Sequence, residues 1–187
     1  MKEQKAVIPP LKQLYLEKTK AEIKQELNFT NDHQVPVLKK VVISMGTAKQ
    51  KDKHVFEACA KDLMMISGQK PVITRAKKSI SNFKLREGQE VGLKVTLRRN
   101  RMYEFLYKFF HIVCPTLPDF RGLKVKFDGR GSYSVGLDTQ QVFPEINLDQ
   151  SKHVQGMNIT VVTSAKTDEE CFALLSSLGC PFRQKKT

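Results

Sequence analysis

The chain has 187 residues and carries 32 lysine and arginine residues against 19 aspartate and glutamate residues, a net charge of +13. A chain of this length buries roughly 70% of the surface that its unfolded form exposes, so it can build a core without disulfides or metals. Like charges repel within a compact fold, so this excess indicates a polyanionic partner, nucleic acid first and an anionic membrane surface second. No stretch approaches the roughly 20 apolar residues that span a bilayer, which excludes a transmembrane protein and favours nucleic acid.

Neither a catalytic nor a metal site is indicated by the residue pattern. The four cysteines are scattered, with no Cys-x-x-Cys pair, and they are expected to be ordinary buried or half-buried thiols. The four histidines are isolated, and neither common phosphate-loop motif occurs. We therefore predict a protein that is not an enzyme and has no cofactor. Residues 1–10 lack the apolar segment of a secretory signal, which predicts a cytoplasmic location.

The first half of the chain alternates between predicted helices and strands. Residues 11–27 form an amphipathic helix, with Leu16, Ile23 and Leu27 on one stripe. A β-branched run predicts a strand over residues 37–45, with Val42 and Ser44 pointing away from the core. Further along the chain, the patterns predict a helix over residues 53–67, a short strand over 71–74 and a strictly alternating strand over 91–98.

The second half repeats this alternation after a long loop region. Asn100 is the predicted N-cap of a helix that Cys114-Pro115 ends, and Ile112 lies on its core stripe. Residues 115–131 are predicted loops, followed by strands near 133–137 and 157–164. Thr167 is the predicted N-cap of the final helix.

These elements predict an α/β fold, an α+β sandwich whose largely antiparallel sheet is covered by helices on one side only. No linker divides the chain, so residues 1–187 are predicted to form a single domain. A basic C-terminal tail, residues 183–187, follows it.

Positive charge is concentrated between Ile66 and Arg101, where ten cations and two anions give +8 in 36 residues. Residues 76–87 lack a core-forming period and are predicted to project as a basic loop between two strands. Loops of this kind are uncommon unless they are functional or disordered. The loop cations suit phosphates, and Phe83 could stack on a base or pin the loop to the body. The alternative is a solvated cationic loop.

The polar face of the strand over 91–98 is the second candidate surface. Lys94, Thr96 and Arg98 lie on this face, beside Val42 and Ser44 of the earlier strand. A flat platform with charge and hydrogen-bonding groups suits the wide, shallow minor groove of A-form RNA. The alternative is an ordinary hydrated sheet face.

Several segments, taken together, strongly resemble one family, the bacterial form of the large-subunit ribosomal protein that binds 5S ribosomal RNA in the central protuberance. The resemblance runs from about Leu11 to the C-terminus. It is carried by ISGQKPVITRAKKSISNFKLREG, VGLKVTLRRNRMYEFL, DFRG, FDGRGSYSVGL, FPEI and TDEECFALLSSLGCPF.

The resemblance implies a set of partners and contact residues. The sheet is expected to contact 5S rRNA, with Gln69 and Thr96 in the matching motifs G-Q-K-P and K-V-T-L-R, and Ser44 where the family usually has Asn. With the two cations of the polar face, the predicted 5S contacts are Ser44, Gln69, Lys94, Thr96 and Arg98. The basic loop, in which Ser81-Asn82 replaces a usual Ala-Gly, is expected to contact the peptidyl-site tRNA through Arg75, Lys77, Lys78, Ser79, Phe83, Lys84 and Arg86.

The resemblance also implies protein partners in the ribosome. The loops around 119–131 are similar to a region that bridges to a small-subunit protein, with Asp119, Arg121 and Arg130 as the candidate contacts. The remaining expected partners are 23S rRNA and neighbouring large-subunit proteins, with no membrane. Two rival functions fit less well. A single-strand RNA-binding module would have stacking aromatics on its sheet, and the predicted polar face has none. A nucleic-acid-processing enzyme would need a metal or a nucleophile.

Overall fold

The computed structural model describes residues 8–47, 53–146 and 153–183, and its five strands form one sheet. The strands are β1 (Leu38–Gly46), β2 (Val72–Arg75), β3 (Glu90–Leu97), β4 (Ser132–Leu137) and β5 (Met157–Thr163). Their order is β2-β3-β1-β5-β4, and β3 pairs antiparallel with both β1 and β2. The predicted α/β fold with a largely antiparallel sheet is confirmed.

The helices also follow the predicted order. The first helical segment consists of α1 (Pro10–Leu14), a π-helical turn (Tyr15–Thr19) and α2 (Lys20–Glu26). The next helix is α3 (Lys53–Ser67), which packs against β3. It is followed by α4 (Arg99–Lys108), a second π-helical turn (Phe109–Val113), α5 (Cys114–Thr116) and α6 (Asp168–Ser177). No helix among the described residues is long and apolar enough to cross a membrane.

The chain divides into two compact units. The first contains residues 1–40, 98–133 and 161–187, and the second contains residues 41–97 and 134–160. Strands β1, β4 and β5 each have residues in both units. The single domain stays a prediction, and the predicted basic tail lies outside the described residues beyond Arg183.

The first helical segment buries only part of the predicted stripe, because Ile23 is buried and Leu16 is not. Leu16 is 58% exposed, and the buried positions are Leu11, Tyr15, Thr19 and Ile23. These four recur every four residues rather than every 3.6. A π-helical turn closes i→i+5 hydrogen bonds and lengthens the local repeat, which rotates Leu16 out of the core.

The predicted boundaries of the second long helical segment are wrong at both ends. Asn100 lies inside α4, where its side-chain oxygen accepts a hydrogen bond from Lys12 Nζ at 2.9 Å, and Arg98 is the N-cap. At the other end the segment continues through Pro115 to Thr116. It stops at Leu117, which is extended (ψ 130°) because it precedes Pro118.

A second π-helical turn, Phe109–Val113, explains why Pro115 does not end the segment. Proline has no N–H and clashes with the carbonyl four residues earlier in a regular helix, and a π turn relieves that clash. The same turn rotates Ile112, predicted to lie in the core stripe, to 46% exposure.

The last helix begins as predicted. The Thr167 side chain accepts a hydrogen bond from the backbone N–H of Glu170 at 3.3 Å, and Gly179 just beyond the helix has a φ of +83°. All four cysteines are free and buried. Burial raises the pKa of the Cys114 thiol to about 12 and that of the Cys171 thiol to about 11, so both are inert at neutral pH.

Candidate RNA interface

The centre of the second unit is an antiparallel pair, β1 and β3, whose register decides which side chains share a face. Ser44 lies opposite Lys94, and Val42 lies opposite Thr96. The alternate residues of both strands are buried: Val41, Ile43, Met45, Leu93, Val95 and Leu97. The predicted polar face is therefore real, and we call the face that carries Val42, Ser44, Lys94 and Thr96 the open face.

Strand β2 widens the open face at its edge. Val72 lies opposite Lys94, and Thr74 lies opposite Gly92. Gly92 is buried, and a Cβ atom added to it would lie 2.5 Å from the backbone oxygen of Met45. Glycine is required there because the paired backbones approach closely, and its small size keeps the open face flat.

Strands β4 and β5 add residues that the sequence analysis missed. The hydroxyl groups of Ser134 and Thr160 are hydrogen-bonded at 3.1 Å, and a Cβ atom added to Gly136 would lie 3.3 Å from Oδ1 of Asn158. Asn158 and Thr160 alternate with the buried Met157, Ile159 and Val161. The same alternation was visible in the sequence, and it identifies a second set of small polar side chains on this unit.

The predicted 5S contacts differ in how the structure positions them. Ser44 and Thr96 are half-buried, Lys94 is exposed, and none of the three forms a side-chain hydrogen bond to a described residue. Their polar groups are therefore available to a ligand. Arg98 is exposed directly after β3 and belongs to the first unit.

Gln69 is positioned by the end of α3. Ser67 Oγ donates to the carbonyl of Leu63 at 2.6 Å and accepts from the backbone N–H of Gln69 at 3.3 Å. Gly68 has a φ of +63°, a left-handed conformation that glycine adopts without strain. This turn fixes the backbone of Gln69, while its half-buried side chain forms no hydrogen bond to a described residue.

The basic loop, residues 76–87, is an ordered hairpin extension between β2 and β3. Ile80 and Leu85 exchange two backbone hydrogen bonds, at 3.0 and 3.1 Å, and the backbone N–H of Glu87 donates to Ser79 Oγ at 3.0 Å. A 3₁₀ turn, Ser81–Phe83, forms the tip, and Lys84 follows with a φ of +52°.

The loop presents its cations to solvent. Four exposed cations of the loop form no ion pair with a described residue: Lys77, Lys78, Lys84 and Arg86. At the loop base, Nη2 of Arg75 lies 3.7 Å from Oε1 of Glu90. A cleft of about 500 Å³ beside the tip is lined in part by Lys84 and Arg86.

The exposure of Phe83 decides between its two predicted roles, stacking on a base and pinning the loop to the body. Its side chain is 73% exposed, so it does not pin the loop to the body. An exposed aromatic ring between unpaired cations can stack on a base.

The three candidate bridge residues lie in the irregular segment of the first unit. Asp119, Arg121 and Arg130 are all exposed. A tight turn presents Arg130, because the Asp128 carboxylate accepts from the backbone N–H groups of Arg130 (2.9 Å) and Ser132 (2.8 Å). Those two hydrogen bonds, first from Ser132 and then from Arg130, lower the pKa of Asp128.

Two glycines shape the same turn. Gly129 and Gly131 have φ values of +78° and +72°. A Cβ atom at Gly131 would lie 2.6 Å from the backbone oxygen of Ala165. No cluster of three or more metal-ligating side chains occurs in the part of the chain that the structure describes.

Comparison with known proteins decides the family. The family model "Ribosomal protein L5" matches residues 31–86, and the model of the C-terminus of the same ribosomal family matches residues 90–182. The chain is 58% identical to the large ribosomal subunit protein uL5 of Protochlamydia amoebophila, over 92% of this chain and 94% of that protein. It is 55% identical to the uL5 of Chlamydia abortus, over 93% and 97%. The chain belongs to the ribosomal protein L5 family.

Membership of this family establishes the coarse function. The chain is a structural, non-enzymatic constituent of the large ribosomal subunit, and it acts in translation. Its partners are ribosomal RNA and the ribosome, in the cytoplasm, as the sequence predicted. The excess positive charge is explained by binding to ribosomal RNA.

Proposed function

We propose that this protein binds 5S rRNA through the open face and thereby helps to attach it to the central protuberance. The observation that carries the proposal is the register of β1 and β3, which groups Ser44, Lys94 and Thr96 as unpaired polar groups on one flat surface. Rigid strands hold these groups at fixed spacings. A flat surface of this kind suits the shallow minor groove of A-form RNA, where 2′-hydroxyls and base edges are accessible.

The side chains of the open face favour close contact. Apart from Lys94, they are small or compact, and Gly92 lets the strands lie close together. A ribose or phosphate can therefore approach the strands closely, with Lys94 supplying charge and the hydroxyl groups supplying hydrogen bonds. Gln69, with its fixed backbone and free amide, adds a contact at the end of α3, and Arg98 adds a cation after β3.

The basic loop has a different proposed role, contact with the peptidyl-site tRNA. It is built from exposed cations around an exposed aromatic ring, at the end of a hairpin that projects from two strands. Unpaired lysine and arginine side chains bind phosphates without sequence preference, and Phe83 can stack on a base. Arg75 and Ser79 belong to the same contact, because they lie at the base of the hairpin and in its ladder.

The segment from Asp119 to Arg130 is proposed to bridge to a small-subunit protein. Its candidate residues are charged and exposed, and the Asp128 turn gives Arg130 a fixed backbone. Contacts with 23S rRNA and with neighbouring large-subunit proteins complete the proposed partners.

The open-face assignment is tested by filter binding of labelled 5S rRNA to a Thr96→Glu variant. The new carboxylate would face RNA phosphates at the centre of the surface, and we expect the dissociation constant to rise about tenfold or more. The matched control is Thr30→Glu, which adds the same charge at an exposed turn of the first unit. A scrambled RNA of the same length, titrated across salt concentrations, separates specific from general binding.

Two outcomes would contradict the assignment. Unchanged 5S affinity in Thr96→Glu would remove the open face from the interface. An equal loss in Thr30→Glu would mean that net charge, rather than the face, governs binding.

A further inference from the structure

A cleft on the first unit combines an apolar floor with an acidic rim. It has a volume of about 450 Å³ and lies between the end of α2, the segment around residue 125 and the start of α6. Val125, Phe127 and Phe172 form the floor, and Glu26, Asp168 and Glu169 form the rim. We call this the acidic cleft.

The floor is built from packed aromatic rings and is partly uncovered. The Phe127 and Phe172 rings lie 6.4 Å apart in an edge-on arrangement, and Phe182 packs on both, at 6.0 and 5.0 Å. Despite this packing, Val125 is 48% exposed and Phe172 is 39% exposed. Adjacent exposed apolar side chains with a polar rim are typical of an interaction surface.

The rim has the opposite charge to the rest of the protein. Among the residues that the structure describes, three carboxylates and no lysine or arginine line the cleft, in a chain with a net charge of +13. Lys124 and Lys126 flank Val125 in sequence but do not line the cleft. Glu26 and Glu169 form no ion pair with a described residue, while Asp168 accepts from the backbone N–H of Gly131 at 3.3 Å. Phosphate groups would be repelled here, so the cleft is unsuited to RNA.

We propose that the acidic cleft binds a cationic peptide segment of another protein. The segment would insert a bulky apolar side chain between Val125 and Phe172, and its lysine or arginine side chains would pair with Glu26 and Glu169. The cleft volume accommodates one or two large side chains. Val125 and Phe127 lie within the segment that we propose to bridge to a small-subunit protein, but this inference rests on the cleft and not on Asp119, Arg121 or Arg130, and it does not depend on the proposed RNA contacts.

The test is a fluorescence anisotropy titration with a defined probe. The probe is a labelled eight-residue peptide with lysine and arginine residues around a central Leu-Phe pair. We expect a Glu26→Gln, Glu169→Gln double variant to bind it about fivefold more weakly, since each exposed ion pair contributes modestly. We expect a Val125→Lys variant to bind it about tenfold more weakly, because that change places a cation in the apolar floor.

Matched controls separate the cleft from general charge. A Glu17→Gln, Glu22→Gln double variant removes two carboxylates from the same helical segment outside the cleft, and its affinity for the probe should equal that of the wild type. A probe in which Gly-Ser replaces the Leu-Phe pair should bind more weakly to the wild-type protein.

Four results would overturn the proposal. Equal probe binding by all variants would mean that the cleft is not the site. Binding only after removal of residues 184–187 would assign the cleft to the chain's own tail. A dimer that Val125→Lys dissociates in sedimentation would assign it to a second copy. Weaker 5S rRNA binding by the cleft variants would make it an RNA surface, a result that leaves the Thr96→Glu test of the open face unaffected.

Discussion

The open face and the basic loop belong to the same unit but offer RNA two different kinds of surface. The open face consists of compact side chains on paired strands, the apolar Val42 and the hydroxyl-bearing Ser44 and Thr96, with Lys94 as an exposed cation. The basic loop consists of exposed cations around an exposed ring, on a hairpin with a single 3₁₀ turn at its tip. The open face has a shape fixed by paired strands and carries little charge. The basic loop carries much more charge and is held only within its own hairpin.

This difference indicates how the two contacts would be selective. Hydrogen bonds at fixed spacings can distinguish one RNA shape from another, so the open face suits a permanent partner. Clustered cations bind any phosphate backbone and lose affinity steeply with salt, so the loop suits a partner that arrives and leaves. Substitutions on the face should therefore affect stability and 5S binding, and substitutions in the loop should affect tRNA binding alone.

The largest expected effect is a loss of stability when the close packing of the strands under the open face is disturbed. Gly92→Ala should lower the free energy of unfolding by about 2 kcal/mol, because the new Cβ atom would lie 2.5 Å from the Met45 oxygen and force the strands apart. Urea denaturation measures this change.

The matched control is Gly46→Ala. Gly46 pairs directly with Gly92 but has nothing within 4 Å of an added Cβ atom, so the free energy of unfolding should change by less than about 0.5 kcal/mol. Similar losses in both variants would mean that the close approach of the strands is not what requires glycine.

A smaller effect is expected when the loop loses charge. A Lys77→Gln, Lys78→Gln, Lys84→Gln variant should release peptidyl-site tRNA about tenfold faster from ribosomes that contain it, because phosphate contacts are lost. Its dissociation constant for 5S rRNA should stay within about twofold of the wild-type value, and its free energy of unfolding should change by less than about 0.5 kcal/mol. The control is a Lys18→Gln, Lys61→Gln, Lys166→Gln variant, which removes three exposed lysines elsewhere. A large loss of 5S affinity in the loop variant would make the loop the main 5S site and end the division of roles.

The smallest expected effect concerns a single contact on the face. Ser44→Asn introduces the amide that the family usually has at this position, and we expect it to tighten 5S binding about threefold by adding a hydrogen bond. Filter binding at one salt concentration is sufficient to detect this, with Ser176→Asn on the exposed side of α6 as the control. Unchanged binding by Ser44→Asn would mean that residue 44 does not contact RNA, and weaker binding would mean that the interface has no room for the longer amide.

Periodicity predicted the strands and helices well, because local patterns control them. The alternation over residues 91–98 gave the correct core and solvent sides of β3, and Thr167 was correctly identified as the cap of α6. Periodicity failed at the two π-helical turns, where Leu16 and Ile112 rotate out of their predicted stripes. A helical pattern assumes 3.6 residues per turn, and π turns depart from it without a clear sequence signal.

The candidate surfaces depended on contacts between residues distant in sequence. The acidic cleft combines the end of α2, residues near 125 and the start of α6, and no pattern within one segment indicates that they meet. Similarly, the pairing of Ser134 with Thr160 became visible only when β4 and β5 were placed side by side.

The sequence by itself determined the charge, its concentration between Ile66 and Arg101, the order of the elements and the family. Composition and local periodicity carry those properties, since they depend on neighbouring residues alone. The tertiary structure decided which of the charges and polar groups act together. Strand register placed Ser44 opposite Lys94, hairpin hydrogen bonds ordered the basic loop, and packing around Phe182 assembled an acidic cleft in a basic protein, because these arrangements depend on pairing and packing across the fold.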